Sequence, residues 1–270
     1  MPELPEVETV VRLLRLQLVG RVILSLRTQW ARHIDRPQLP EFQSRIKGRA
    51  IEDVYRRGKF ILVALDQEET LIVHLRMTGH LTVVDASLPP DKHTHTIFEL
   101  DSGQELRFRD PRKFGRVYLV RDVPEVVGGL GPEPLDSEFT PEVLSQILSG
   151  RKRILKPFLL DQSMIAGIGN IYADEALFNA QLLPTRRTDS LSADEIAALF
   201  AGIQEVLHLG IAREGASIST YVKPDGEKGD MQNEVKVFRR TGKACYRCGE
   251  VIQRIILGGR STHFCPGCQY

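Results

Sequence analysis

All four cysteines of this 270-residue chain fall into one pattern near its end, Cys245-x2-Cys248-x16-Cys265-x2-Cys268. Two CxxC knuckles at that separation offer four thiolates to a single tetrahedral zinc ion. With all four positions closed by protein, no place is left for water, so the metal is structural. Chance clustering and a pair of disulfides are the weaker alternatives. Between the knuckles, Val251–Leu257 is a largely apolar run followed by Gly258-Gly259-Arg260, which reads as a β-hairpin with Arg260 at its tip. A rigid hairpin that presents an arginine makes a good phosphate clamp. No cysteine is left to staple the remainder of the chain, which suits a reducing, cytosolic compartment.

Charge points the same way. The whole chain carries +1, but Lys236–Tyr270 holds seven Lys/Arg against one acid, a net +6, and the first 235 residues hold −5. A basic tail on a mildly acidic body fits a polyanion held at one end. Hydrophobic content of 42% allows one large core or two smaller ones. No apolar run approaches the roughly 18 residues of a membrane span, and glutamates at positions 3, 6 and 8 oppose a signal or transit peptide.

The opening residues, Met1-Pro2-Glu3-Leu4-Pro5-Glu6, carry a second chemical possibility. Removal of Met1 would leave Pro2 as a free secondary amine, and an α-amino group titrates near ~7.7–8.0. A useful fraction is then nucleophilic at neutral pH. Attack on a sugar C1′ displaces the base, and opening of the sugar ring then leaves an iminium that acidifies the neighbouring proton for strand elimination. Glu3 beside it can shuttle protons. The plainer reading is that a proline at position 2 merely favours processing.

Along the chain, Val7, Val10, Val11, Leu14 and Leu18 predict an amphipathic helix ended by Gly20, with Pro2 and Glu3 at its N-terminal mouth. Eight short segments follow: Arg21–Leu26, Ile51–Tyr55, Phe60–Leu65, Thr70–Leu75, His80–Val84, Thr96–Leu100, Glu105–Arg109 and Arg116–Val120. Their alternation and turn residues predict a β-sandwich or barrel. Val126–Pro134 reads as a linker. Helices are expected at Pro141–Leu148, Ile154–Leu160, Asn170–Asn179 and Ala193–Leu209, and Gly210–Val235 as a long functional loop. Gly167-Ile168-Gly169-Asn170 offers backbone amides at a helix start, as a phosphate site or a plain cap. Lys59 is a phosphate contact, a proton relay, a rival nucleophile or an ordinary exposed lysine. His93 and His95 share a strand face but lack nearby further ligands, and are read as structural.

Several of these segments together resemble the bacterial formamidopyrimidine-DNA glycosylases. They are Pro2–Thr9, His74-Leu75-Arg76-Met77-Thr78-Gly79, Asp110-Pro111-Arg112-Lys113-Phe114-Gly115, Ala166–Glu175 and the cysteine cluster, in order over nearly the whole chain. The resemblance implies an α+β fold of two domains. An N-terminal β-sandwich led by a catalytic helix (1–125) and a linker (126–136) precede a helix–two-turns–helix domain with a lesion-capping loop (137–235) and a zinc β-hairpin (236–270). It further implies a monomer with one zinc, no membrane partner, and duplex DNA containing an oxidised purine or abasic site bound in the cleft. Pro2 would be the nucleophile, Glu3 the acid, Glu6 a second carboxylate and Lys59 the essential lysine. Met77 and Phe114 would wedge the base stack, with Arg112 facing the widowed cytosine. His74, Asn170 and Arg260 would hold phosphates. Without the family, Met77 and Phe114 read as core residues and His74 as a buried strand histidine. Ser217, Ser219, Thr220 and Tyr221 would cap the flipped base. That loop departs from the family: Glu214-Gly215-Ala216 stands where paired glycines are frequent, and Asp230-Met231 where an aromatic is common. A sister enzyme of the endonuclease VIII type, for oxidised pyrimidines, is opposed by Leu4 and by the intact Met77/Arg112/Phe114 set. A zinc-hairpin DNA-binding regulator without activity would need neither a free Pro2 amine nor Lys59.

Overall fold

The computed structural model describes residues 1–218 and 221–270. These form two compact units, Met1–Gly129 with Glu214–Asp230, and Leu130–Arg213 with Met231–Tyr270.

In the first unit, helix α1 (Leu4–Leu18) starts at a capping box. Glu3 is its N-cap, and Glu3 and Glu6 each accept the other's backbone N–H. Val7, Val10, Val11, Leu14 and Leu18 are buried, as the helical spacing predicts. The strands are β1 (Val22–Thr28), β2 (Ile34–Arg36), β3 (Arg49–Arg57), β4 (Phe60–Leu65), β5 (Thr70–His74), β6 (His80–Asp85), β7 (Thr94–Leu100), β8 (Gln104–Arg109) and β9 (Arg116–Val120). They are ordered β2-β9-β5-β4-β3-β1-β7-β8-β6. β1 meets β3 at only two register pairs, Val22↔Ala50 and Ile23↔Arg49. That short seam separates two sheets. Phe98, Leu106 and Phe108 of one share a core with Ile61, Val63, Val73 and Val117 of the other and with the apolar stripe of α1. The result is a sandwich closed by the helix, as expected.

Eight strands were expected, and β2 is the additional one. Its three residues pair in parallel with β9, and so short a run carries no visible alternation. Helix α2 (Leu39–Ile46) also escapes the pattern, because Phe42 and Ile46 are its sole buried residues. The expected linker is more structured than its composition implies. α3 (Pro124–Val127) takes in its first two residues. Gly131 then packs so closely that a Cβ there would lie 2.4 Å from the Met164 carbonyl oxygen.

The second unit contains α4 (Pro141–Leu148), α5 (Leu155–Leu159), α6 (Asn170–Asn179), α7 (Ala193–Ala212) and the hairpin β10 (Gln253–Leu257) and β11 (Arg260–Phe264). Thr140 and Ser192 cap α4 and α7 through their side chains, as expected. α7 packs on α6 at Gly202, where a Cβ would stand 2.7 Å from the Ala176 carbonyl. Contrary to the expectation of no span-length apolar run, α7 is by length and composition alone long and apolar enough to cross a membrane. About a third of that stretch is buried within the unit, Leu199, Ile203, Val206 and Leu207 among it. The segment Glu214–Asp230, which the sequence reading groups with the preceding helices, packs instead with the first unit.

Candidate active site

The mouth of α1 is built around Glu6. Its Oε2 accepts the Glu3 backbone N–H at 2.8 Å, and its Oε1 accepts the Ala216 N–H at 2.7 Å. One buried carboxylate therefore ties the helix start to a loop some 210 residues later in the chain. Glu3 is buried as well, and Pro2 directly precedes it. While Met1 is attached, the Pro2 nitrogen is a tertiary amide and no nucleophile. Met1 lines a surface pocket of about 360 Å³ with Arg76, Met77, Phe114 and Arg116.

Lys59 is buried in the turn between β3 and β4. That turn is pinned to α1 by Arg56, whose Nε lies 3.2 Å from Glu8 Oε2 and whose guanidinium also donates to the Gly58 carbonyl at 3.2 Å. His74 stacks edge-on against Phe60 at 4.5 Å between ring centroids. Burial first, then the nearby positive charges of Arg76 and Lys59, lower the His74 pKa to about 3. The ring is therefore neutral at physiological pH. Its Nδ1 accepts the Arg76 N–H at 2.9 Å, which leaves the proton on Nε2.

Met77, Arg112 and Phe114 are brought together on two exposed turns. The Arg112 guanidinium lies 3.2 Å from the Met77 sulfur and its Cζ 4.7 Å from the Phe114 ring centroid. Met77 is 40% exposed and Phe114 46%, so neither is a core residue. Behind them Asp110 is buried. Burial pushes its carboxyl up, but the His33 ring, the Thr78 hydroxyl and the Gly115 N–H outweigh that and hold it at about 2. His33, which sequence reasoning passed over, lies 3.7 Å from Asp110, too far for a hydrogen bond. His95 is buried beside it, in keeping with a structural role.

The loop from Glu214 is ordered by interactions no local pattern shows. A Cβ on Gly215 (φ +82°) would lie 2.7 Å from Glu6 Cγ, so both backbone and space favour glycine there. The Tyr221 hydroxyl donates to the Glu6 carbonyl at 3.4 Å and to the Glu214 carbonyl at 3.2 Å. His80 Nε2, at 2.9 Å from the Val222 carbonyl and 3.2 Å from that of Lys223, anchors the next two residues. The Lys223 ammonium is buried among Glu214, Asp225 and Glu227, whose hydrogen bonds raise its pKa. Ser217 accepts the Gly229 N–H at 3.0 Å, whereas Ser219 and Thr220 lie outside the described residues.

In the second unit, Asn170 and Arg260 line one pocket of about 500 Å³ with Arg239, Arg254 and His263. Asn170 Nδ2 donates to the Ser261 carbonyl at 3.0 Å, which joins the start of α6 to the hairpin. Sequence reasoning missed the charges that dock the hairpin. Buried Asp174 pairs with Lys156 at 2.6 Å and accepts both the N–H and Nδ1 of His263. Glu175 accepts three backbone N–H groups in a row, from Lys236, Val237 and Phe238 at 2.7, 3.0 and 2.8 Å. The neighbouring Asp174–Glu175 pair in the quoted motif was the available signal.

The thiolates of Cys245, Cys248, Cys265 and Cys268 all lie within 4.8 Å of one another. The pairs Cys245–Cys268 and Cys248–Cys265 are 3.8 and 3.4 Å apart. A disulfide needs about 2.05 Å, whereas four Zn–S bonds of about 2.3 Å set tetrahedral edges near those separations. The donor set fits one structural zinc. A Cβ at Gly267 would crowd Cys248 Sγ and Glu250 Cβ at 3.2 Å, so a side chain there would press on the second knuckle.

By fold, the chain combines a helix-led β-sandwich with a helical unit bearing a zinc hairpin, and known proteins narrow that class. Residues 1–117 match the formamidopyrimidine-DNA glycosylase N-terminal domain, and 130–222 its H2TH domain. Residues 242–269 match the zinc finger found in FPG and IleRS. A formamidopyrimidine-DNA glycosylase of Herpetosiphon aurantiacus is 49% identical, covering 100% of both chains. Among solved structures, a Lactococcus lactis FPG mutant in complex with Fapy-dG-containing DNA is 37% identical with a TM-score of 0.93, covering 99% of each chain. MutM in complex with DNA containing carbocyclic 8-oxo-G is 36% identical with a TM-score of 0.92, again covering 99% of each. These are DNA glycosylases that carry a zinc finger. The chain belongs to the formamidopyrimidine-DNA glycosylase family.

Proposed function

We propose that the chain is a bifunctional DNA glycosylase and AP lyase of base excision repair. It excises oxidised purines, 8-oxoguanine and formamidopyrimidines, from duplex DNA and cleaves the strand by β,δ-elimination. The observation that carries the reading is the α1 mouth, where Pro2 precedes a buried N-cap Glu3 whose backbone is held by Glu6. The relatives' complexes with Fapy-dG and 8-oxo-G DNA support the substrate class.

With Met1 removed, the Pro2 nitrogen attacks C1′ of an extruded nucleotide. The bond from C1′ to the base breaks, and its electron pair and a proton leave with the base. Glu3 supplies a proton as the sugar ring opens. Loss of a C2′ proton from the iminium then expels the 3′ phosphate, and a second elimination expels the 5′ phosphate. Lys59 relays protons or holds a phosphate at the turn pinned to α1. Glu6 is the tether that sets the loop against the catalytic helix. Met77 and Phe114 fill the vacated stack and Arg112 pairs with the widowed base. His74, which retains only Nε2–H to give, and the Asn170–Arg260 pocket take backbone phosphates. Ser217 and Tyr221 belong to the loop that caps the base. The zinc keeps the hairpin folded and takes no part in the chemistry. The enzyme works as a cytoplasmic monomer.

Borohydride trapping on 8-oxoguanine duplex tests this directly. The crosslink should map to an N-terminal peptide and disappear when one residue is added ahead of Pro2. A crosslink at Lys59, or one that survives the added residue, would make the nucleophile wrong.

A further inference from the structure

Thr78 and Asp110 lie just behind the exposed trio, and no role is yet attached to them. Asp110 Oδ1 accepts the Thr78 hydroxyl at 2.5 Å and the Arg112 N–H at 3.3 Å, while Oδ2 accepts the Gly115 N–H at 2.7 Å. The Thr78 oxygen in turn accepts the Arg112 N–H at 3.3 Å. One buried carboxylate is thus satisfied jointly by the turn that carries Met77 and the turn that carries Arg112 and Phe114. Both turns also rest on one ring. A Cβ at Gly79 would lie 2.7 Å from Phe108 Cε2, and one at Gly115 2.3 Å from its Cζ. A buried charge tolerates little loss of its donors, so this arrangement holds the two turns at a single spacing.

We propose that Thr78 and Asp110 form a latch that positions Met77 against Arg112 and Phe114, so that the trio enters the base stack as one rigid wedge. Both are positioning residues, since neither reaches the reacting atoms. The inference rests on the glycosylase reading above. It deepens that reading by assigning opposite-base discrimination partly to a hydroxyl that touches no base.

A wedge is useful only where there is a stack to fill and a widowed base to read. An abasic site in single-stranded DNA offers neither and serves as the reference substrate. In the zinc-loaded full chain, Thr78→Val removes the bridging hydroxyl at nearly constant volume. Excision from an 8-oxoguanine:cytosine duplex should fall about tenfold in kcat/KM, the usual worth of one hydrogen bond to a charged group. The preference for cytosine over adenine opposite the lesion should narrow as well. Cleavage of the abasic single strand should stay within about twofold of the parent, and Thr78→Ser should restore duplex excision. Unchanged duplex excision in Thr78→Val overturns the latch. So does an equal loss on the single strand, or a failure of serine to rescue. A parent protein that neither excises nor cleaves would instead overturn the glycosylase reading, and the latch with it.

Discussion

Replacing Glu175 by glutamine tests how the basic zinc segment is held to α6. Its carboxylate is buried and accepts three successive N–H groups, two on Oε1 (Val237 and Phe238) and one on Oε2 (Lys236). Two influences oppose each other there. Burial raises the pKa of the carboxyl, while the three N–H donors pull it down, and the net direction is upward. The three donors at 2.7 to 3.0 Å, two on Oε1 and one on Oε2, nevertheless favour the charged form over the neutral one. Glutamine keeps one acceptor, so its amide nitrogen must face a backbone N–H. Losing a charge-assisted hydrogen bond costs about 1.5–3 kcal/mol, and leaving a donor buried and unpaired costs about 1–3 more. We expect Glu175→Gln to destabilise the second unit by about 3 kcal/mol, on the order of 10 °C in Tm for a unit of this size. Calorimetry on the zinc-loaded chain, with zinc content measured before and after, is the assay. A Tm within about 3 °C of the parent would refute the reasoning, since glutamine would then be copying a carboxyl that is protonated in the fold.

Arg260→Ala should remove one phosphate contact and reduce the magnitude of the log K against log salt slope by about 0.9 on duplex DNA. Chelating the zinc, or Cys248→Ser, should reduce it further, because the hairpin folds with its metal; an unchanged slope in metal-free protein would sink the phosphate clamp. For Asp110 the folded pKa of about 2 lies below the ordinary 3.8, so its contribution is present above pH 4 and lost as pH falls toward 2. The stability gap between the parent and Asp110→Asn, followed by urea unfolding, should therefore shrink by about 2 kcal/mol between pH 5 and pH 2. A gap that did not change with pH would mean that the charge of Asp110 stabilises nothing.

What could be read directly from the chain was local. The two CxxC knuckles announced the metal because each knuckle supplies two ligands from one tight turn. The 3, 4, 7 spacing of Val7 through Leu18 and the polar–apolar alternation of His80–Val83 in β6 and Glu105–Arg109 in β8 announced their elements, since side-chain direction repeats with the backbone. Thr140 and Ser192 announced helix starts for the same local reason. The motif residues Met77, Arg112 and Phe114 were legible as chemistry but not as a contact, because two turns more than thirty residues apart must first meet on Phe108. β2 was silent because three residues are too few to show a period, and α2 because it buries only Phe42 and Ile46. Tertiary structure alone decided that Glu6 holds Ala216, that His80 and Lys223 order the loop, and that Asp174 and Glu175 dock the zinc hairpin. Apart from Lys223, whose carboxylate partners lie within nine residues of it, each buried polar group must find its partner far along the chain. The requirement can be stated from sequence, but the partner is chosen by whichever backbone the packed core brings within three ångströms.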